Sequence, residues 1–352
     1  MATYDFVFDG LGLRDWCGER VSGDAPMTMA ELLAGGKSGG DDAGTSFSDV
    51  INVPFPSLDA LNEACPSMAR TRDMTAGVED GFLSIKDGLK VVLDPITQPL
   101  SWLLEGALYV FQTVPWLIMI PILCMIAFFA AKSWRLTGFV ALALMFLAFI
   151  DHYTFAMETL SIIFVCAALC VILGVPIGIA MSRSNMLQRI MIPILDMLQT
   201  LPTFVYLIPL IFLFSVTEPK LYGIAVILYA IVPVIRLTDL GIRLVDPEVK
   251  EAADAFGMTD RQKLFGVEIP LALPNIMAGV NQTIMMSLAM VVIASLVSAP
   301  GLGVLVLRGI RNLELGVGLI AGLGIVLLAV ILDRVTKGAL ARVNAASAVP
   351  RH

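Results

Sequence analysis

Charge is scarce in this sequence, and histidine scarcer still. Only 15% of its 352 residues are Asp, Glu, Lys or Arg, where a soluble globular domain carries about 25%. Hydrophobic residues make up 57%, and mean hydropathy is +0.84. A soluble domain has nowhere to put that much apolar surface, so the expected class is an all-α polytopic membrane protein. His152 and His352 are the only histidines, and the five cysteines include no Cys-x-x-Cys pair, which removes the usual donor sets for a metal. Cys124, Cys166 and Cys170 fall within apolar runs. Cys17 and Cys65 stand alone near the start; free thiols are the expected state, with a bond between them left open if that segment is extracytoplasmic. A Ser/His, paired-Asp or His/Glu constellation inside a membrane segment is also missing, because His152 has only Asp151 beside it. Intramembrane hydrolysis is thereby excluded. A basic groove able to follow phosphates is lacking too, which argues against nucleic acid. Residues 1–16 have neither a cationic start nor a continuous apolar run, so a cleavable signal is not expected and insertion falls to later segments.

The charges that exist are unevenly placed. Residues 1–99 hold 16 acidic and 7 basic side chains, a balance of 7 − 16 = −9, while the remainder holds 14 and 16, a balance of +2. An acidic, Gly/Ser/Asp/Pro-rich stretch over residues 1–80 therefore precedes the membrane body, and its composition predicts a mostly disordered tail. Gly36-Lys37-Ser38 lacks the upstream glycine and the preceding strand of a phosphate-binding loop. Over residues 81–114, apolar positions recur at three- and four-residue steps (Phe82, Ile85, Leu89, Val92; Leu100, Leu104, Leu108, Phe111). This predicts amphipathic helices, broken around Pro95 and Pro99, lying flat at the membrane surface or against the first span.

A spanning helix needs roughly 20 apolar residues. Seven candidates follow, at 115–131, 136–150, 157–181, 190–214, 221–240, 276–299 and 316–332, with 99–114 as a possible eighth. Lys132 and Arg135, then Arg183 and Arg189, then Arg243, Lys250, Arg261 and Lys263 occupy alternate connections. The positive-inside tendency makes that side cytoplasmic, leaving the acidic tail outside and the tail at 341–352 inside. Arg308 and Arg311 then fall in an outer but apolar connection, which reads as a short helix dipping into the membrane mouth.

The membrane body, residues 115–340, keeps its mid-membrane positions free of charge, so it has no evident site for a driving ion. Asp196, flanked by Pro193 and Pro202, is the costliest of the buried-end charges; it reads as a gate, as a partner for Arg236, or as a side chain reaching the interface. Gly301 and Gly303, with Pro202, are the other gate candidates, although close helix packing explains such glycines equally well. Asn281, Met285, Leu288, Val292 and Ser295 share one face of the sixth segment and form the candidate pathway lining, with hydrogen-bonded packing as the alternative.

One polar interruption stands out, at 246–270. Asp246-Pro247-Glu248 reads as a helix start, Gly257 as an exit, and Thr259 or Asp260 as the cap of a second helix ending near Leu264 or Phe265. The product is a helix-turn-helix knob offering Ala252 and Ala253 to a close partner. Its spacing, Glu251-Ala252-Ala253, three residues, Gly257, nine residues, Val267, one residue, Ile269-Pro270, resembles the coupling loop of ABC-importer permeases. Residues 196–206, Asn281 to Ser295, and the stretch from Gly301-Leu302-Gly303 to Leu332-Asp333-Arg334 resemble in particular the permeases of the glycine betaine and proline betaine family, over about half of the chain.

That resemblance implies an ABC-importer permease fold of about seven transmembrane helices in a bacterial inner membrane. It implies a homodimer, two cytoplasmic ATPase subunits that bind ATP and Mg and dock the Glu251 loop, and an extracytoplasmic binding protein; no cofactor is expected on this chain. The expected cargo is a quaternary-ammonium osmoprotectant. An amino acid, choline or carnitine remains an alternative, as does a membrane scaffold or receptor that uses the knob only for docking.

Overall fold

In the computed structural model of the chain, Cys17 and residues 57–347 are described. Residues 1–89 and 90–352 form two units. In the first, helix α1 (Leu58–Ala64) leads directly to Cys65, which is disulfide-bonded to Cys17 across 48 positions. This corrects the free-thiol expectation: sequence separation says nothing about whether the ends of a folded-back segment meet, and here the two Cα atoms are 4.7 Å apart. Asp59 accepts from the Thr71 amide at 2.9 Å, and Asp73 accepts from the Arg70 amide at 3.1 Å, so side chains close the turn after α1. Most of the acidic tail, Gly36-Lys37-Ser38 included, lies outside the described residues; where it is described, at 58–64 and from 71 onward, it is helical.

Helix α2 (Thr71–Thr113) runs without interruption through Pro95 and Pro99, contrary to the expected break. A proline inside a helix costs about 3 kcal/mol, and tertiary contacts along residues 93–108 offset it. Leu93, Leu100 and Leu108 pack on the cluster that contains fully buried Leu104, together with Leu221, Tyr222 and Ala225. A Cβ at Gly223 would stand 2.6 Å from Leu104 Cδ1, so this glycine is what lets the helix sit so close. Lys220, 4% exposed, bridges Asp94 at 2.7 Å and Glu218 at 2.8 Å and lies over the Phe214 ring. This part of α2 is thus seated chiefly on the fifth candidate span, and only Phe111 joins the cluster that holds the first.

Each of the seven apolar stretches forms helix: α3 (Trp116–Ala131), α4 (Trp134–Phe149), α5 (Tyr153–Arg183), α6 (Asn185–Thr200) with α7 (Thr203–Leu213), α8 (Pro219–Arg243), and the two described below. Among the described residues, four helices are long and apolar enough to cross a membrane: Tyr153–Arg183, Pro219–Arg243, Asp260–Val297 and Leu315–Arg342. Two bent pairs, α2 with α3 at 115° and α6 with α7 at 94°, raise this to as many as six if each pair counts as one span. The stretch at 190–214 is therefore two helices and not one straight span. Leu201, the residue before Pro202, is extended (φ −63°, ψ 129°), as the proline ring requires of its predecessor.

At the centre, α8 lies between α5 and α11 (Ile269–Ala294). Added methyls at two positions measure the closeness: at Gly178 a Cβ would be 2.6 Å from Thr238 Cβ and 2.7 Å from the Ile235 carbonyl oxygen, and at Gly279 it would be 3.0 Å from Val234 Cα. Small residues here allow backbone-to-backbone packing where apolar surroundings provide no hydrophobic drive between helices. A second cluster joins α3, α4, the start of α5, α12 (Leu302–Arg311) and α13 (Leu315–Ser347). The short helix expected around Arg308 and Arg311 is α12. The tail expected from 341 onward continues α13 as helix to Ser347.

Candidate functional site

The interruption at 246–270 folds into a projecting pair of helices. Asp246 caps α9 (Pro247–Ala255) by accepting from the Glu248 amide at 2.9 Å, with Pro247 in the first turn where its missing N–H is not needed. The helix ends as Gly257 enters the left-handed region at φ +73°, with nothing within 4 Å of a Cβ built there. Backbone bonds Phe256 N–H to Ala252 O at 3.0 Å, Gly257 N–H to Asp254 O at 2.9 Å and Met258 N–H to Ala253 O at 3.2 Å satisfy the exit. Thr259 then starts α10 (Asp260–Lys263) with a reciprocal cap: its hydroxyl accepts from the Gln262 amide, and the Gln262 side chain accepts from the Thr259 amide at 2.9 Å.

The second helix does not stop at Leu264 or Phe265. It passes through a π-helical turn (Leu264–Glu268) straight into α11, giving a continuous 38-residue rod, Asp260–Val297. Local cap and turn signals could not reveal this, because the continuation is fixed by packing at the bundle foot. There Ile269 sits with Ile242, Val245, Ala272 and Ile276.

Ion pairs fasten the knob. Lys263 bridges Asp254 at 2.7 Å, tying α10 to α9, and Lys250 donates to the Ile242 carbonyl at 3.1 Å, tying α9 to the end of α8. Glu268, 3% exposed, meets Arg183 at 2.6 Å. Beside it Arg243 donates to Asp239 (2.9 Å), Asn185 (2.8 Å) and the Met181 carbonyl (2.8 Å), while Gln188 donates to Asp239 at 2.7 Å.

The structure separates the sequence-read residues of this knob into two groups. Glu251, Ala252, Gly257 and Pro270 are exposed. Ala253 is buried at 5%, so it packs inside the knob and cannot offer a surface to a partner, which corrects its expected role. Val267 and Ile269 are half-buried, and Ile269 faces the bundle. The outer surface is instead apolar at Phe256 and Phe265, 89% and 68% exposed, with Val249 and Met258 nearby in sequence. Phe256 was visible as an aromatic within a charged stretch; Phe265, Arg183 and Glu268 gave no such sign.

The pathway face fares differently. Leu288 is buried in the central cluster, and Ser295, 6% exposed, donates to the Val291 carbonyl at 3.3 Å. Asn281 is hydrogen-bonded to Asp333 at 3.5 Å and to the Thr336 hydroxyl. Leu288 and Ser295 are buried inside the protomer, so the lining expectation is corrected for these two; Asn281, Met285 and Val292 are half-buried, and the Asn281 bonds to α13 are of the packing kind given as the alternative. Among the gate candidates, Asp196 pairs with Arg236 across the α6–α8 contact, and Pro202 makes the sharp bend. Gly301 (φ +122°) precedes α12, whose Leu302 amide donates to Thr159 at 2.9 Å, and Gly303 lies against Ser295. Both glycines serve close packing in this conformation.

The family described as binding-protein-dependent transport system inner membrane component matches residues 171–344, a range that holds the whole knob. The glycine betaine/proline betaine transport system permease protein ProW of Escherichia coli is 37% identical over 294 residues, covering 82% of this chain and 81% of its own length. The glycine betaine transport system permease protein OpuAB of Bacillus subtilis is 37% identical, covering 72% and 94%. The glycine betaine/carnitine transport permease protein GbuB of Listeria monocytogenes is 39% identical, covering 69% and 86%. The chain therefore belongs to the family of inner-membrane components of binding-protein-dependent transport systems. It is a multi-pass ABC-importer permease, a transport subunit and not an enzyme; ATP is used by a separate partner subunit.

Proposed function

We propose that this permease carries a quaternary-ammonium osmoprotectant, glycine betaine or proline betaine, inward across the inner membrane. It works as a homodimer with two cytoplasmic ATPase subunits and an extracytoplasmic binding protein. The observation that carries the coupling part of this reading is the knob itself: a capped, ion-paired projection with Glu251, Ala252, Phe256 and Phe265 exposed, continuous with a 38-residue membrane helix. Exposed aromatics on an otherwise charged projection fit a docking surface. The cargo class follows from the names of the three relatives, and carnitine is the second choice because one of them is named for it.

In this reading residues 115–340 form the transport domain, 246–270 is the cytoplasmic coupling loop, and 341–352 is cytoplasmic. The Cys17–Cys65 bond supports an oxidising compartment, hence an external location, for the acidic tail over 1–80. Gly257 acts as the elbow of the knob, Glu251 as its polar contact and Ala252 as the close-packed position. Val267, Ile269 and Pro270 seat it on the bundle. The face of the rod left exposed by Gln282, Ala289 and Leu296, flanked by Met285 and Val292, faces the second copy and the pathway between them. Asp196 with Arg236 at the Pro202 bend forms the inner gate; Gly301 and Gly303 allow the outer one to close.

ATP-dependent uptake of radiolabelled glycine betaine into proteoliposomes, with the ATPase and binding protein present, tests this. Competition by proline betaine but not by amino acids is the expected result. Uptake that persists without the ATPase would overturn it.

A further inference from the structure

We propose that the Arg183–Glu268 pair is a positioning contact that passes movement of the knob to α5, and through α5 to the opposite end of the bundle. The inference rests on the knob being the ATPase docking point, as proposed above. Three features of the structure carry it.

The first is the π turn. The Ile269 amide donates to the Leu264 carbonyl, five residues back, which places one extra residue in the rod between knob and membrane helix. One added residue turns a helix by about 100°. That turn lets Glu268 sit on the inner side, 3% exposed, while Phe265 of the same turn stays outside at 68%. Leaving a buried carboxylate without a partner is costly, and Arg183 supplies a charged one at 2.6 Å.

The second is where Arg183 stands. It is the last residue of α5, and the last turn of α5 is also gripped from α8, where Arg243 donates to the Met181 carbonyl at 2.8 Å and to Asn185 at 2.8 Å just beyond. The foot of α5 is therefore held by the knob rod on one side and by α8 on the other.

The third is the far end. Helix α5 has 31 residues and so reaches about 45 Å. Near its start the Thr159 hydroxyl accepts from the Leu302 amide at 2.9 Å, the first residue of α12. A helix fastened at both ends can transmit a displacement from the knob to α12, as a second route beside the rod itself, whose Ser295 lies against Gly303.

The test uses the reconstituted complex of permease, ATPase and binding protein, with radiolabelled glycine betaine and all values taken per assembled complex. Glu268→Gln and Arg183→Gln are expected to keep ATPase co-purification and ATP hydrolysis, while uptake per ATP hydrolysed falls at least tenfold. The exchanged pair Arg183→Glu with Glu268→Arg is expected to recover at least threefold over either neutral variant, and Arg183→Lys to stay within threefold of the parent. Uptake per ATP within twofold of the parent in the neutral variants overturns the proposal. So does an exchanged pair no better than its parts, or Arg183→Lys as damaged as Arg183→Gln. Loss of ATPase co-purification in the neutral variants also overturns it, because the pair would then serve docking and not transmission. Failure of the docking reading shows separately: Glu251→Lys would leave co-purification and stimulated hydrolysis intact.

Discussion

The centre of the bundle and the knob are built by opposite means. Between α5, α8 and α11 the closeness comes from glycines: at 178 an added methyl would collide with α8, and at 279 it would be tight against the α8 backbone. The knob has little core of its own. Ala253 is its one buried residue between Pro247 and Lys263, and its shape comes from the Asp246 cap, the Thr259–Gln262 cap, the left-handed Gly257 and the bridges from Lys250 and Lys263. The contrast teaches that a membrane body can be specified by what its helices lack, whereas a water-facing projection must be specified by polar groups at fixed positions. It also predicts that damage to the two regions will differ in kind, in stability at the centre and in coupling at the knob.

The comparison breaks most visibly at Gly178. Leucine there forces a side chain into the Ile235 backbone, and such overpacking costs typically 1–3 kcal/mol, more where backbone cannot yield. Gly178→Leu is expected to lower the amount of folded permease in the membrane severalfold, read by detergent-extracted monodisperse protein. An ordinary yield with unchanged melting would show that the helices are not so close. Next comes Lys220→Met, which leaves Asp94 and Glu218 without their shared cation beneath α2. Charged hydrogen bonds contribute about 1.5–3 kcal/mol, so melting of the purified complex should fall by several degrees; the same melting point would mean that α2 is not fastened there.

At the knob the effects move from stability to work. Gly257→Val meets no neighbour but must hold φ +73°, at roughly 1–2 kcal/mol. Membrane insertion should be normal while substrate-stimulated ATP hydrolysis of the reconstituted complex is lost; normal stimulation refutes the elbow. The smallest effect belongs to Thr259→Ala, which removes one cap for about 1 kcal/mol. Faster amide exchange confined to residues near 259–263 is the expected signature. Exchange spreading into α11 would instead show that the cap supports the whole rod.

Much of this is legible in the sequence. The seven apolar stretches, the short helix carrying Arg308 and Arg311, and the caps of the knob all follow from rules that act over a few residues, and Asp246, Pro247, Gly257 and Thr259 behave as those rules require. The misses share another character. Cys17 meeting Cys65, α2 passing intact through two prolines and Leu288 joining the central cluster all depend on partners tens of residues away.

The sequence by itself determined that the chain is an apolar helical membrane body interrupted by a capped polar projection, because periodicity, hydropathy and capping are local properties. Only the tertiary structure decided that the projection is continuous with α11 through a π turn and that Glu268 is buried against Arg183. A helix register and a charge pair spanning 85 positions are set by which surfaces meet once the helices pack, and no window of neighbouring residues contains that information.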